Sequence, residues 1–198
     1  MKKLLLLVAG LFLFLTGCGS DDDNSTDMPQ SVPQNFSLDN NNYSLLAFQG
    51  ITEAKMEGVY TFNGIAYTRS QVTLIGMIGF TTTATVSFDL YYKSNMSIAG
   101  TYEIYDDIEG EENYEQYMEG RDRSCEGWTS AGVVFQNMGG DQLHANNPSG
   151  NVTITVNGPN NYTIQYTGNF KLYEDGFTFV RNVPASVNIT GDVQVHTQ

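Results

Sequence analysis

Basic side chains are scarce in this chain of 198 residues, where nine Lys and Arg face 22 Asp and Glu for a formal net charge of −13. A chain so poor in cations is not built to hold nucleic acid or anionic lipid headgroups, both of which are gripped by Lys and Arg. Histidine is rarer still, with His144 and His196 alone, and there are two cysteines. No H-E-x-x-H and no C-x-x-C occurs, which removes the common zinc and redox sites. The nucleophile elbow G-x-S-x-G is missing too, because Gly127 in Gly127-Trp128-Thr129-Ser130-Ala131-Gly132 stands one position too far from Ser130. No apolar run reaches the roughly 20 residues that a membrane-spanning helix requires.

The longest apolar run, Leu4 to Leu15, follows Met1-Lys2-Lys3 and ends in Leu15-Thr16-Gly17-Cys18. A short positive start and a core of this length are the pattern of a secretory signal. Small residues at Thr16 and Gly17 admit an extended chain to a peptidase groove, and Cys18 offers a thiol. These four residues resemble the lipobox of bacterial lipoproteins processed by the type II signal peptidase. The resemblance implies cleavage after residue 17 and lipidation of Cys18 with three acyl chains. Each buried methylene contributes about 0.8 kcal/mol, and two chains already give a stable anchor, so such a protein stays on the membrane without crossing it. Loss of Lys2 and Lys3 leaves seven basic and 22 acidic residues, a formal charge of −15.

Next comes Gly19-Ser20-Asp21-Asp22-Asp23. The run Ser20, Asp21, Asp22 and Asp23 is similar to the export signal of surface-exposed lipoproteins of the Bacteroidota, which implies an outer-membrane anchor facing the cell exterior. Residues 18–35 carry the lipidated cysteine and then acidic residues, Asn, Ser and Pro with almost nothing to bury, as expected of a flexible tether. Residues 36–198 suffice for one domain with a sizeable core.

That domain reads as β. Ala84, Val86, Phe88, Leu90 and Tyr92 alternate with Thr85, Ser87, Asp89 and Tyr91, predicting a strand with one buried face. Val152, Ile154 and Val156 are followed by the turn residues 157–161 and then Tyr162, Ile164 and Tyr166, which predicts a hairpin. Asn63-Gly64 predicts a second tight turn. Weaker strands are expected over 43–49, 59–62, 71–78, 101–105, 131–136, 169–173, 185–190 and 193–196. The expectation is an all-β fold, a single antiparallel β-sandwich or flattened barrel of about ten short strands. Acidic residues before it, Tyr114, Tyr117 and Met118 at helical spacing, Gly120 after it and Arg121 and Arg123 beyond predict one short helix near 111–119. Tyr60-Thr61-Phe62-Asn63-Gly64, Gly100-Thr101-Tyr102-Glu103-Ile104 and Gly150-Asn151-Val152-Thr153-Ile154 with Tyr162-Thr163-Ile164 resemble small all-β lipoproteins of Flavobacterium-type bacteria. That likeness carries strands and glycines and no catalytic motif.

Chemistry concentrates in residues 103–126, which hold ten carboxylates. Asp106, Asp107, Glu109 and Glu111 are a candidate hard-cation set, but Ile108 stands where the EF-hand pattern needs oxygen, so the reading preferred is a solvated acidic stretch. Tyr105, Tyr114, Tyr117 and Trp128 are candidates for a ligand platform in which aromatic faces stack on sugar rings beside carboxylates. With twelve tyrosines in the chain, packing on a sheet or core is the reading preferred over a platform. Once Cys18 is lipidated Cys125 is the lone thiol, expected buried and inert, and a Cys125–His144 catalytic pair has no local support. The functional expectation is therefore a non-enzymatic surface module that binds a ligand such as a glycan, or an envelope protein partner, and needs no cofactor. The alternative is a hydrolase of extracellular polymers that uses carboxylates of the 103–126 stretch.

Overall fold

The computed structural model describes residues 34–47, 50–79, 81–104, 121–133, 143–146, 148–174 and 178–197. Cys18, the aspartates 21–23, Tyr105, Tyr114, Tyr117, the acidic set 106–111 and the helix expected near 111–119 all lie outside them.

The described residues form β1 (Asn35–Leu38), β2 (Asn41–Leu45), β3 (Ile51–Phe62), β4 (Ile65–Ile78), β5 (Thr82–Lys93) and β6 (Gly100–Glu103). The second half adds β7 (Arg123–Val133), β8 (Leu143–Asn146), β9 (Asn151–Gly158), β10 (Asn161–Glu174), β11 (Thr178–Asp192) and β12 (Gln194–Thr197). Pairing runs β11-β1-β2-β4-β5-β7-β8-β10 and returns to β11, a ring of eight strands. Three pairings in the ring are short, with two residue pairs each at β2–β4, β8–β10 and β1–β11. Two flaps extend it: β9 and β6 beside the first half of β10, β3 and β12 beside β4. All strand pairs are antiparallel except β12 with β3, and a single parallel bridge ties Ile104 to Cys125. The fold is thus a flattened barrel whose two broad faces, β12-β3-β4-β5-β7 and β6-β9-β10-β11-β1, pack as a sandwich.

Alternation explains what lies between them. Val72 and Leu74 of β4 and Ala84, Val86, Phe88, Leu90 and Tyr92 of β5 point inward and meet Ile164, Tyr166 and Phe170 of β10 and Val183, Val187 and Ile189 of β11, all buried. Phe88 lies 5.0 Å from Tyr166 and 6.3 Å from Phe170 between ring centroids, which fixes the two faces against each other.

The expected hairpin is present, with Tyr162, Ile164 and Tyr166 paired to Val156, Ile154 and Val152. Asn63 and Gly64 turn β3 into β4 with φ of 47° and 80°. Three expectations need correction. First, the elements are fewer and shorter in the reading than in the fold, where β4 and β10 have 14 residues each and β11 has 15. Second, the strand placed at 131–136 begins eight residues earlier, at Arg123; Arg121 and Arg123 suggested a helix end, whereas Arg123 turns inward on the face of Cys125 and its guanidinium lies over the buried Tyr102 ring. Third, β5 is covered on both faces. Ser87, Asp89 and Tyr91 are buried as well as the apolar set. Arg69 Nη2 donates to Asp89 Oδ2 at 2.7 Å, Gln71 Nε2 donates to Oδ1 at 3.0 Å, and the Arg69 guanidinium lies 6.0 Å from the Tyr91 ring centroid. Polar neighbours on β4 roof a face that the alternation marked as solvated.

Candidate functional site

On β3 the residues Ile51, Glu53, Lys55 and Glu57 fall on one face by the two-residue period. Ile51 enters the core and Glu57 reaches solvent. Glu53 lies between these extremes in sequence but is 2% exposed. A carboxylate at that depth requires hydrogen-bond donors, and three elements supply them. Ser70 of β4 donates to Glu53 Oε1 at 2.7 Å. Tyr162, at the start of β10 on the opposite face of the sandwich, donates to Oε2 at 2.8 Å. Tyr92 of β5 lies 3.2 Å from Ser70 Oγ. Ser70 has one hydroxyl proton and gives it to the carboxylate, so the Tyr92 hydroxyl is the donor in that contact. The proton order is Tyr92 to Ser70 to Glu53, with Tyr162 arriving from the other side. Burial and then the hydrogen bond to Glu53 push the Tyr162 hydroxyl well above the usual phenol range, so it remains a donor at every ordinary pH. Burial likewise raises Tyr92.

Glu53, Tyr92 and Tyr162 of this network floor a cavity of about 370 Å³, within the size range of small-molecule sites. Met96, Ser97 and Ile98 form one wall, Val156, Gly158, Pro159 and Asn160 of the β9–β10 hairpin form another, and Lys55 and Val195 stand beside Glu53. Val195 arrives there because parallel pairing sets it level with Glu53. Lys55 Nζ is held 2.6 Å from Glu57 Oε1, and that hydrogen bond is the main cause of its raised pKa. The rim is therefore close to neutral, and the charge of the floor is that of Glu53.

The wall at 96–98 is fixed from behind. Tyr102 Oη donates to Ile98 O at 2.6 Å. Arg123 Nη2 donates to Ser97 O at 2.9 Å and to Ala99 O at 2.7 Å, and its guanidinium lies over the Tyr102 ring at 5.8 Å. Gly100, with φ of 152°, lets Arg123 through, since a Cβ there would overlap Arg123 Nε.

Those residues singled out in the sequence for chemistry that are described do not line this cavity. Trp128, 37% exposed, stands on the outer face of β7 opposite Ser87 and Asn146. Tyr102 is fully buried and serves as a prop. Of the acidic stretch, Glu103 lies 3.9 Å from Arg121, Asp122 pairs with Lys93 at 2.5 Å, and Glu126 sits on the outer face beside Asp89. Cys125 is buried with its thiol pushed well up, first by burial and then by the charges of Asp89 and Glu126. His144 pairs with Ser130, which places it on the face of β7 opposite that of Cys125, so the two are not a catalytic pair. Among the described residues no group of three or more His, Cys, Asp and Glu is placed to hold a metal ion. Sequence reasoning missed Glu53, Ser70 and Lys55 altogether. The available signal was Ile51-Thr52-Glu53-Ala54-Lys55, a strand-like alternation whose charged members look solvated. Comparison with family models, with curated proteins and with solved structures finds no match for the chain.

Proposed function

We propose that the chain is a lipoprotein anchored through Cys18 to the outer membrane, facing the cell exterior, and that it works there as a non-enzymatic binding module whose ligand enters the Glu53 cavity. The anchor rests on the likeness of residues 15–18 to a lipobox, and the exterior location on the aspartates that follow. The observation that carries the binding function is the cavity itself. It combines a preorganised buried floor of Glu53, Tyr92 and Tyr162, locked together through Ser70, with walls that include the apolar Met96, Ile98, Val156 and Val195. A few fixed polar groups among apolar residues is the usual make-up of a ligand site, and groups already locked by hydrogen bonds lose little freedom on binding.

Thermal melts of residues 19–198 against a panel of glycans and small charged and neutral compounds test the function. Val156, which lines the cavity and is 40% exposed, is replaced by tryptophan to fill it. At least one compound class is expected to raise the midpoint of the wild type and not that of Val156→Trp. A panel that shifts both proteins equally refutes the cavity as the ligand site. For the anchor, Cys18→Ser is expected to take up no labelled fatty acid and to leave the membrane fraction. Protease added to intact cells is expected to remove the domain, and Asp21, Asp22 and Asp23 changed to alanine to protect it.

A further inference from the structure

Resting on the reading of the cavity as the ligand site, we infer that its ligand is an organic cation, a primary ammonium group on an apolar stem. The direction of the hydrogen bonds decides the chemistry. The hydroxyl protons of Tyr92 and Tyr162 on the floor, and that of Ser70, which links Tyr92 to Glu53 without lining the cavity, are all committed toward the Glu53 carboxylate. What the floor presents to an incoming molecule is therefore lone pairs, on the two phenol oxygens and on the carboxylate. A group that only donates satisfies such a floor, and an ammonium offers three donors and no acceptor. A carboxylate or phosphate ligand would meet acceptor against acceptor beside a like charge.

Charge points the same way. Glu53 receives hydroxyls and has no cationic partner at ion-pair distance among the described residues, whereas Lys55 is engaged by Glu57. A carboxylate whose hydrogen-bond partners are all neutral hydroxyls has no counter-charge within hydrogen-bond distance and so attracts a cation. Among the described residues no third ligating side chain converges for a metal ion. Ile98, Val156 and Val195 instead offer apolar surface along the way to the floor. The stem packs there while the head reaches Glu53.

The test is titration calorimetry of residues 19–198 with n-hexylammonium, 1-hexanol and hexanoate at matched ionic strength. Charge-assisted hydrogen bonds to a carboxylate that is itself buried predict that the ammonium binds about tenfold to a hundredfold tighter than the alcohol, and that hexanoate does not bind. Glu53→Gln, which keeps shape and removes charge, is expected to abolish the preference for ammonium over alcohol. Val156→Trp leaves the floor intact and is expected to abolish binding of both. Should Glu53→Gln not fold, the comparison of the three probes on wild type and Val156→Trp decides alone. Equal binding of hexylammonium and hexanol, or hexylammonium binding that survives Val156→Trp, overturns the inference. If the ammonium fails while a neutral compound binds the wild type and not Val156→Trp, the cation falls and the cavity stands as a ligand site. If no compound distinguishes the two proteins, both fall.

Discussion

The same chemical change at two buried tyrosines, loss of one hydroxyl, is expected to have opposite consequences here. Tyr162 and Tyr166 lie four positions apart on one face of β10, both buried. Tyr162 Oη donates to the Glu53 carboxylate at 2.8 Å. Tyr166 Oη finds no hydrogen-bond partner among the described residues, although its ring is packed between Phe88 and Phe170. Replacement by phenylalanine keeps each ring and opens no large cavity, so the hydroxyl's own contribution is what is measured. A hydrogen bond to a charged acceptor contributes about 1.5–3 kcal/mol, and its removal leaves a buried carboxylate oxygen short of a donor. Tyr162→Phe is therefore expected to cost about 2 kcal/mol at neutral pH, or roughly 4–8 °C of melting temperature for a domain of this size. Tyr166→Phe relieves an unbonded buried hydroxyl and is expected to be neutral or to stabilise by up to about 1 kcal/mol. Urea unfolding of both variants and of the wild type, with slopes compared to verify two-state behaviour, gives the two numbers. Equal losses for the two variants would refute the reasoning, because the Glu53 network would then contribute nothing beyond ordinary packing.

Three further outcomes are expected. Gly100→Ala places a Cβ on Arg123 at a φ of 152°, and is expected to destabilise by about 1–3 kcal/mol in thermal melts; an unchanged midpoint would show that the Arg123 prop is dispensable. Cys125, buried and with its thiol pushed up, is expected to resist thiol reagents at pH 8 in the native protein and to react fully in denaturant; fast native labelling would contradict its burial. Asp39 receives both Arg181 nitrogens, at 2.6 and 2.7 Å, and that hydrogen-bonded pair holds its pKa below the ordinary 3.8. Its contribution is present above pH 3.8 and is lost as pH falls through the lower folded value, so Asp39→Asn is expected to lose about 0.5 kcal/mol or less at pH 7 after screening, with the difference closing below pH 3.8. A difference that persisted at pH 2 would place its origin outside the ion pair.

The parts of the fold legible in the sequence are those where one local rule acts alone. Ala84 to Tyr92 alternate because β5 lies inside one broad face, paired on both edges, and the turn at 157–161 interrupts two alternating runs that then pair residue for residue. What stayed hidden depends on neighbours distant in sequence. β1 was unseen since four residues, Asn35–Leu38, carry too little pattern. Its turn did leave a signal, because Asp39 and Asn40 adopt φ of 51° and 63°, a conformation those residue types tolerate. The buried outer face of β5 was illegible for a related reason. Ser87 and Asp89 are polar, and their burial comes from Arg69 and Gln71 on another strand.

The candidate site illustrates the limit most sharply, because the search for chemistry went where carboxylates are dense. Ten acidic residues in one stretch draw notice, yet the described members, Glu103, Asp122 and Glu126, stand at an edge or an outer face with ordinary surface partners or neighbours. A carboxylate becomes chemically distinctive through desolvation and fixed donors, and both are tertiary quantities. Glu53 acquires them from Ser70, 17 positions away, and from Tyr162, 109 positions away on the other face of the sandwich. Nothing within Ile51-Thr52-Glu53-Ala54-Lys55 distinguishes it from the solvated Glu57, which shares its strand and its face. What separates them is depth along β3, set by where Ile51 enters the core and by the β9–β10 hairpin that reaches across to Glu53. A strand that runs from core to solvent thus places two glutamates of one face in different environments, and the inner one, polar and buried beside a cavity, is where the proposed ligand is held.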